Sequence, residues 1–415
     1  MASSSKSSLS EKLKALGLKI GTVGLVTPKG NSQYKVDLVV PGEYIPTPVG
    51  EVFVSRQVYP ADYQHGKVPL GIPAERGVLT AWLGDSRLID LSPESFTFLD
   101  IETSGLAGGT GTYAFLIGLG RFKEGDFHLD LFFMRDPAEE LALLHVLEGY
   151  FASTQALVTF NGRSFDAPIL ATRFRMHDIP VPFVDYPHLD LLPLARRLWK
   201  DRLPSRALKY LEESILGVGR TDADVPGYEI PYLYFDYLRT GDARPLSGVF
   251  YHNAMDVVAM AALLNHMGHM LAEPMHTSIE HGLDRVALAR LYEKLGKWEE
   301  SARLYERCLQ DDLLEVDFWQ VIKQLSSLHR RRGDLESAVI LWEKAASNGH
   351  VFACVELAKH NEHRLKNYKE ALRWTMHAKE LLDETDPSDL SDRHRVEELE
   401  HRRARLEKRA KNRSD

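Results

Sequence analysis

The sequence predicts a mixed α/β sheet flanked by helices, followed by an all-α region of helical repeats. Three observations lead there. Strand-like apolar runs, FTFLDIE, TYAFLIGLGRF and DFHLDLFFM, succeed one another from Phe96 with short turns such as KEGD between them. Helix-patterned and strand-patterned segments then alternate as far as about residue 272. From about Glu280 a helical pattern recurs, aligned on Ser301, Ala338 and Ala371 at spacings of 37 and 33 residues.

Taken in order, residues 1–94 read as an N-terminal extension, partly extended, because Pro and Gly punctuate short β-type runs in VVPGEYIPTPVGEVF and VPLGIPAERG. Residues 95–272 carry the sheet. Its three adjacent strands suggest an antiparallel meander; PAEELALLHVLEGYF is helical behind Pro137, ALVTF is a strand, and FDAPILATRFRMH is again a helix. The strand-like HLDLL leads to LARRLWK, ALKYLEESIL and a long helix near Ser247 to Leu271. Residues 280–385 hold the repeats. Their period resembles that of tetratricopeptide repeats: small residues at the aligned position let paired helices approach, and Gly296 and Gly333 mark the turns, where the third repeat has Lys366. Residues 386–415 form a charged tail, strongly basic from His401 onward after the acidic LLDETDPSDLSD.

The 415-residue length implies more than one domain. With 44% hydrophobic and 27% charged residues, and no apolar stretch near the roughly 20 residues that span a bilayer, a membrane protein is not expected. The polar N-terminus MASSSKSSLSEKLKALGLKI lacks the apolar core of a secretory signal, so a cytoplasmic chain is expected. Only Cys308 and Cys354 occur, far apart, which argues against a disulfide framework or a zinc site. The net charge of -8 argues weakly against nonspecific nucleic-acid binding.

Against that background LDIET stands out. Strand side chains alternate, so Asp100 and Glu102 share a face about 6 to 7 Å apart. In an apolar sheet two such carboxylates repel and suffer desolvation unless a cation lies between them. Asp166 follows in FNGRSFD, at a strand-to-helix junction where α/β sites form. Asp256 lies in the apolar helix YHNAMDVV, and His252, four residues earlier, is on the same helical face. Oxygen ligands without cysteine point to two Mg²⁺ or Mn²⁺ ions. Four acids around two such ions, with a histidine to take a proton from water, suit two-metal phosphodiester hydrolysis.

In that order, DIET, NGRSFD and HNAMD resemble the DnaQ-like (DEDD) branch of the ribonuclease H-like superfamily of 3′ to 5′ exonucleases. The resemblance covers residues 95–270 and implies that the mixed sheet is ribonuclease H-like. It also implies that Asp100, Glu102, Asp166 and Asp256 bind metal and that His252 is the general base. The usual patterns place a histidine five residues, or a tyrosine four residues, before the last Asp; here Tyr251 and His252 are exchanged. Helix geometry and the lower histidine pKa favour His252. The whole layout is similar to the YprB/MrfB group, which implies a DNA-repair nuclease with a helicase partner. An RNA 3′ exonuclease and a catalytically weak scaffold recruiting partners through its repeats stay open.

Thr103, Ser104 and Gly105 are candidates to contact the terminal nucleotide, against an ordinary strand-ending turn. Asn161 and Phe165 are candidates to bond and stack on it, against a capping Asn and a core Phe. Gly108, Gly109 and Gly111 lack a phosphate-loop continuation and read as a linker. His188 and Asp190 suit a supporting role or, for Asp190, a helix cap; Arg206 and Lys209 suit phosphate contact or an exposed helix face.

Overall fold

A computed structural model describes residues 33–105, 111–276, 279–383 and 390–411 of the chain. A single helical turn, α1 (Val36–Val39), leads into a hairpin of β1 (Glu43–Thr47) and β2 (Gly50–Tyr59). A short ribbon of β3 (Gln64–His65) and β4 (Val68–Pro69) follows, then helix α2 (Gly77–Leu83). The meander comes next as β5 (Phe96–Thr103), β6 (Ala114–Lys123) and β7 (Asp126–Phe133). After it the chain alternates through α3 (Glu140–Phe151), β8 (Ala156–Thr159), α4 (Asp166–Met176), β9 (His188–Asp190) and α5 (Leu191–Trp199).

One seven-stranded sheet takes the order β1-β2-β7-β6-β5-β8-β9. Pairing is antiparallel from β1 to β5 and parallel from β5 through β8 to β9, so the sheet is mixed. The extended segments in residues 1–94 are therefore structural: β2 pairs with β7 from Phe53 opposite Phe133 to Tyr59 opposite Phe127. Phe98, Leu99, Leu116, Ile117 and Leu119 are all 0% exposed, as expected of central strands covered on both faces.

The segment α6 (Leu208–Leu211) continues into a π-type turn at Glu212–Leu216, followed by α7 (Ile230–Thr240) and α8 (Leu246–Ala272). Helix α8 has 27 residues, a rod of about 40 Å, and lies across β5, β6 and β7. Two glycines in β6 let it approach. A Cβ at Gly118 would collide with Asn253 Oδ1 and stand 2.9 Å from Val257 Cγ2, and one at Gly120 would stand 2.7 Å from Val257 Cγ1. A strand glycine that admits a neighbouring backbone is the general pattern.

The helical region runs α9 (Gly282–Lys294), α10 (Trp298–Cys308), α11 (Glu315–Arg332), α12 (Leu335–Ala346), α13 (Val351–His360), α14 (Tyr368–Asp383) and α15 (Leu390–Lys411). Ser301, Ala338 and Ala371 are each 0% exposed, and the Ser301 hydroxyl donates to Ala289 O at 2.9 Å between paired helices. Gly296, Gly333 and Lys366 all take positive φ, at 76°, 84° and 53°, so the lysine makes the same left-handed turn as the glycines. Helices α9 to α11 share the apolar core of the sheet. The Tyr292 hydroxyl donates to Leu271 O at 2.6 Å and Arg202 Nε lies 2.8 Å from Asp284 Oδ1, joining the two regions. The architecture is the predicted one, a mixed sheet flanked by helices and followed by a helical region. Among the described residues no helix is long and apolar enough to cross a membrane.

Candidate active site

Strand β5 presents Asp100 directly opposite Gly118, and its register with β6 shifts between Glu102 and Thr103. A bulge of this kind re-aims the end of a strand, a device frequent beside functional sites. The empty space over Gly118 is filled by Asn253 of α8, which is 0% exposed and whose Nδ2 donates to Asp100 Oδ2 at 2.6 Å. One turn further, α8 carries Asp256 to the same cluster, because residues three apart are neighbours on a helix surface.

Asp166 opens α4 and reaches the cluster through a braced turn. The Asp190 carboxylate accepts the Asn161 N–H at 2.7 Å and the Arg163 N–H at 3.3 Å, while capping α5 through the Leu192 N–H at 3.1 Å. Asn161 takes a positive φ of 67°, a conformation Asn tolerates better than most residues. His188 adds a contact of 2.8 Å from Nε2 to the Thr159 hydroxyl, and burial pushes its pKa down to about 4. Asp190 thus combines the two roles the sequence left as alternatives.

The acids act on one another electrostatically. Burial first, and then the charges of Asp256, Asp166 and Glu102, hold Asp100 well above the usual carboxylate range; the Asn253 hydrogen bond pulls the other way. Glu102 is raised by burial, Asp256 and Asp166, with Arg220 opposing. Burial, Asp190 and Asp256 push Asp166 up to about 7. Repulsion on this scale calls for a cation.

Arg220 supplies one. Its buried guanidinium donates to Asp256 Oδ1 and, through Nε, to Glu212 Oε2 at 2.7 Å; Glu212 Oε1 in turn contacts His65 Nε2 at 2.7 Å. Burial works against the arginine charge, but Asp256 and Glu212 more than offset it and hold the pKa above the ordinary arginine value. The donor set of Asp100, Glu102, Asp166 and Asp256 is all carboxylate oxygen, half-buried and mutually repelling, so in chemistry it fits a hard divalent ion. As they stand these side chains are drawn onto protein donors, Asp256 by Arg220 and Asp100 by Asn253. Among the described residues no group of three or more His, Cys, Asp or Glu side chains is disposed as a ready metal cage.

His252 is 3.6 Å from Asp256 through Nε2, and its Nδ1 is 2.7 Å from Asp224 Oδ1. Asp224 also receives Lys209 Nζ at 2.8 Å; against a desolvation penalty, Lys209 and His252 hold its pKa below the usual range. Tyr251 points elsewhere, with its hydroxyl accepting the Thr221 N–H at 3.3 Å.

The remaining candidates divide. Thr103 Oγ1 donates to Gly105 O at 2.9 Å and Ser104 Oγ accepts the Tyr113 N–H at 3.2 Å, so both hydroxyls already serve the turn. Phe165, directly before Asp166, is 51% exposed and not a core residue. Arg206 is used internally, donating to Leu203 O at 2.9 Å. Gly108 and Gly109 lie outside the described residues. Sequence reasoning passed over Arg220 and Asp224, which sit in the aperiodic stretch GRTDADVPG, and Asn253, which stands inside the quoted HNAMD motif without a carboxylate to draw notice.

A mixed sheet with acids on an interior strand, backed by a helix bearing further polar residues, defines the class. Residues 97–268 match the RNase_H_2 family of the RNase H superfamily, and the chain as a whole belongs to the YprB family. It is 32% identical over 325 residues to the uncharacterized protein YprB of Bacillus subtilis (strain 168), an alignment covering 76% of this chain and 77% of its relative. The chain therefore carries an RNase H-like domain of a superfamily of nucleic-acid hydrolases.

Proposed function

We propose that the protein is a metal-dependent 3′ to 5′ exonuclease of the DnaQ-like DEDD type, hydrolysing phosphodiester bonds in DNA. What supports the reading is the mutual electrostatic coupling of acids drawn from β5, α4 and α8. In this reading Asp100, Glu102, Asp166 and Asp256 hold two Mg²⁺ or Mn²⁺ ions. Bound there, the ions would activate water and stabilise the leaving 3′ oxygen.

The protein's own groups have distinct tasks. Asp224 accepts the Nδ1 proton of His252, which leaves Nε2 as the lone-pair nitrogen toward Asp256 and able to take a proton from water. Phe165 offers an exposed ring beside Asp166 for stacking on the terminal base. In this reading Asn161 and the turn of Thr103, Ser104 and Gly105 contact the terminal nucleotide. Arg220 compensates the acids when no metal is bound.

The layout extends the proposal: an N-terminal segment to residue 94, an exonuclease region at 95–272, tetratricopeptide-like repeats at 280–385 and a charged tail at 386–415. The repeats are the place for a protein partner, a helicase in a DNA-repair setting, because stacked helix pairs present extended surfaces. End-labelled DNA and RNA oligonucleotides incubated with Mg²⁺ or Mn²⁺ test the reading. Shortening of DNA from the 3′ end by the wild type, abolished in Asp166→Ala, is the expected result; cleavage untouched by Asp166→Ala would overturn it.

A further inference from the structure

Charge in this chain is unevenly placed. Residues 401–411 hold six Lys and Arg against one Glu, a surplus of five positive charges in a chain of net -8, which leaves -13 for the rest. These residues lie on α15, whose Arg395 and Arg402 line a groove of about 510 Å³ with Lys323 and Arg330 of α11 and Lys359 of α13.

Two acids nearby are oversubscribed, while Glu398 and Glu315 also line the two hollows. Glu356 receives both Arg330 at 2.7 Å and Lys359 at 2.8 Å. Glu362, its side chain 0% exposed on the π-type turn at Asn361–Leu365, receives Arg402 and Arg405 at 2.9 Å and Arg409 at 3.1 Å. Each cluster keeps more positive charge than its acid cancels. Continuing the groove, a second hollow of about 460 Å³ shares Lys323 and Phe352 and adds Trp319 and His350. The Trp319 and His350 ring centroids are 4.3 Å apart, and Lys323 Nζ stands 5.6 Å from the Phe352 ring centre.

We propose that this groove across α11, α13 and α15 binds single-stranded nucleic acid, its cations following the phosphate backbone and its aromatic ledge receiving bases. Cations interleaved with half-exposed rings are the recognition logic of unpaired strands, which offer both regular charge and flat faces. An acidic peptide matches the charge but leaves the ledge without a stacking partner. The inference rests on the exonuclease reading only in that such an enzyme meets a nucleic-acid strand.

The test uses the full chain in EDTA with a 5′-fluorescent dT20 strand followed by anisotropy. Lys323 and Arg395 are exposed. The double variant Lys323→Glu/Arg395→Glu is expected to bind at least about tenfold more weakly, with the slope of log affinity against log salt shallower by about 1.4, two contacts at about 0.7 each on a single strand. Trp319→Ala is expected to weaken binding about fivefold or more without changing that slope. Thermal melting checks folding, and the neutral pair Lys323→Gln/Arg395→Gln, with a smaller loss in the same direction, guards against a misfolded reversal. Wild-type affinity and slope in both double variants would overturn the proposal, as would loss of binding to a labelled decaglutamate peptide but not to dT20. Hydrolysis of the p-nitrophenyl ester of thymidine 5′-monophosphate by the wild type with Mg²⁺ tests catalysis separately: if it fails while dT20 still binds through the groove, the exonuclease reading falls and the groove stands.

Discussion

His252 Nδ1 and Asp224 Oδ1 are 2.7 Å apart, although 28 residues separate them in the chain. A carboxylate on one imidazole nitrogen fixes which nitrogen carries the proton and how the ring is turned. Asp224 is therefore a positioning residue. Asp224→Asn should lower kcat on end-labelled DNA about a hundredfold, the low end of what general-base assistance supplies, and leave KM within about twofold. Asp224→Glu should recover part of the loss. An unchanged kcat in Asp224→Asn would remove His252 from the proposed chemistry.

In the proposed reading Arg220 and a metal ion would compete for Asp256. Arg220→Met leaves the buried acids without their internal cation, and stability in EDTA should fall by about 3 kcal/mol, as is usual when one partner of a buried pair is removed. Excess Mn²⁺ should restore it. Isothermal titration without substrate should show tighter Mn²⁺ binding to the variant than to the wild type; weaker binding would mean that Arg220 helps to shape the metal site.

Gly118 is where the site and the fold meet. Gly118→Ala places a methyl group against Asn253 Oδ1 and Val257 Cγ2, so α8 must shift or Asn253 must turn. Chemical denaturation should show a loss of about 1–3 kcal/mol, the ordinary range for overpacking. DNA cleavage should fall as well, since the same shift moves Asp256 from Asp100. A variant of wild-type stability would contradict the close approach.

Stability should also decline in mild acid. His266 stacks on Trp199, and burial, followed by the charges of Lys67, Arg202 and His269, lowers its pKa from 6.5 to about 4. Between those values the unfolded chain binds a proton that the folded chain does not, so stability rises with pH across the window and is lost as pH falls through it. Between pH 6.5 and 5.5 this one residue should cost about 1 kcal/mol. Urea denaturation at the two pH values reads the loss. His266→Phe, which keeps a ring against Trp199, should flatten the dependence.

Much of this was legible in the sequence because periodicity and burial conflict visibly. Asp100 and Glu102 interrupt an apolar strand, and Asp256 interrupts an apolar helix, so each marks itself. Gly118 and Gly120 were equally visible, but what a strand glycine makes room for lies in another element, here Asn253 and Val257. Arg220 and Asp224 were silent for a different reason: their stretch has no period to violate, and their partners are set by the packing of α8. Lys366 looked like a break in the repeat, yet it adopts the backbone conformation of Gly296 and Gly333.

The contact of His65 with Glu212 carries a practical consequence. Through Glu212 and Arg220 it ties the β3–β4 ribbon to Asp256, and β2 covers the edge of β7 over the same N-terminal stretch. A fragment cut at residue 95, where the family resemblance begins, would expose a long strand edge and strand a buried glutamate without its histidine. The smallest portion of this chain expected to fold with its acids in place therefore starts upstream of β1, and trimming to the family boundary should yield aggregate.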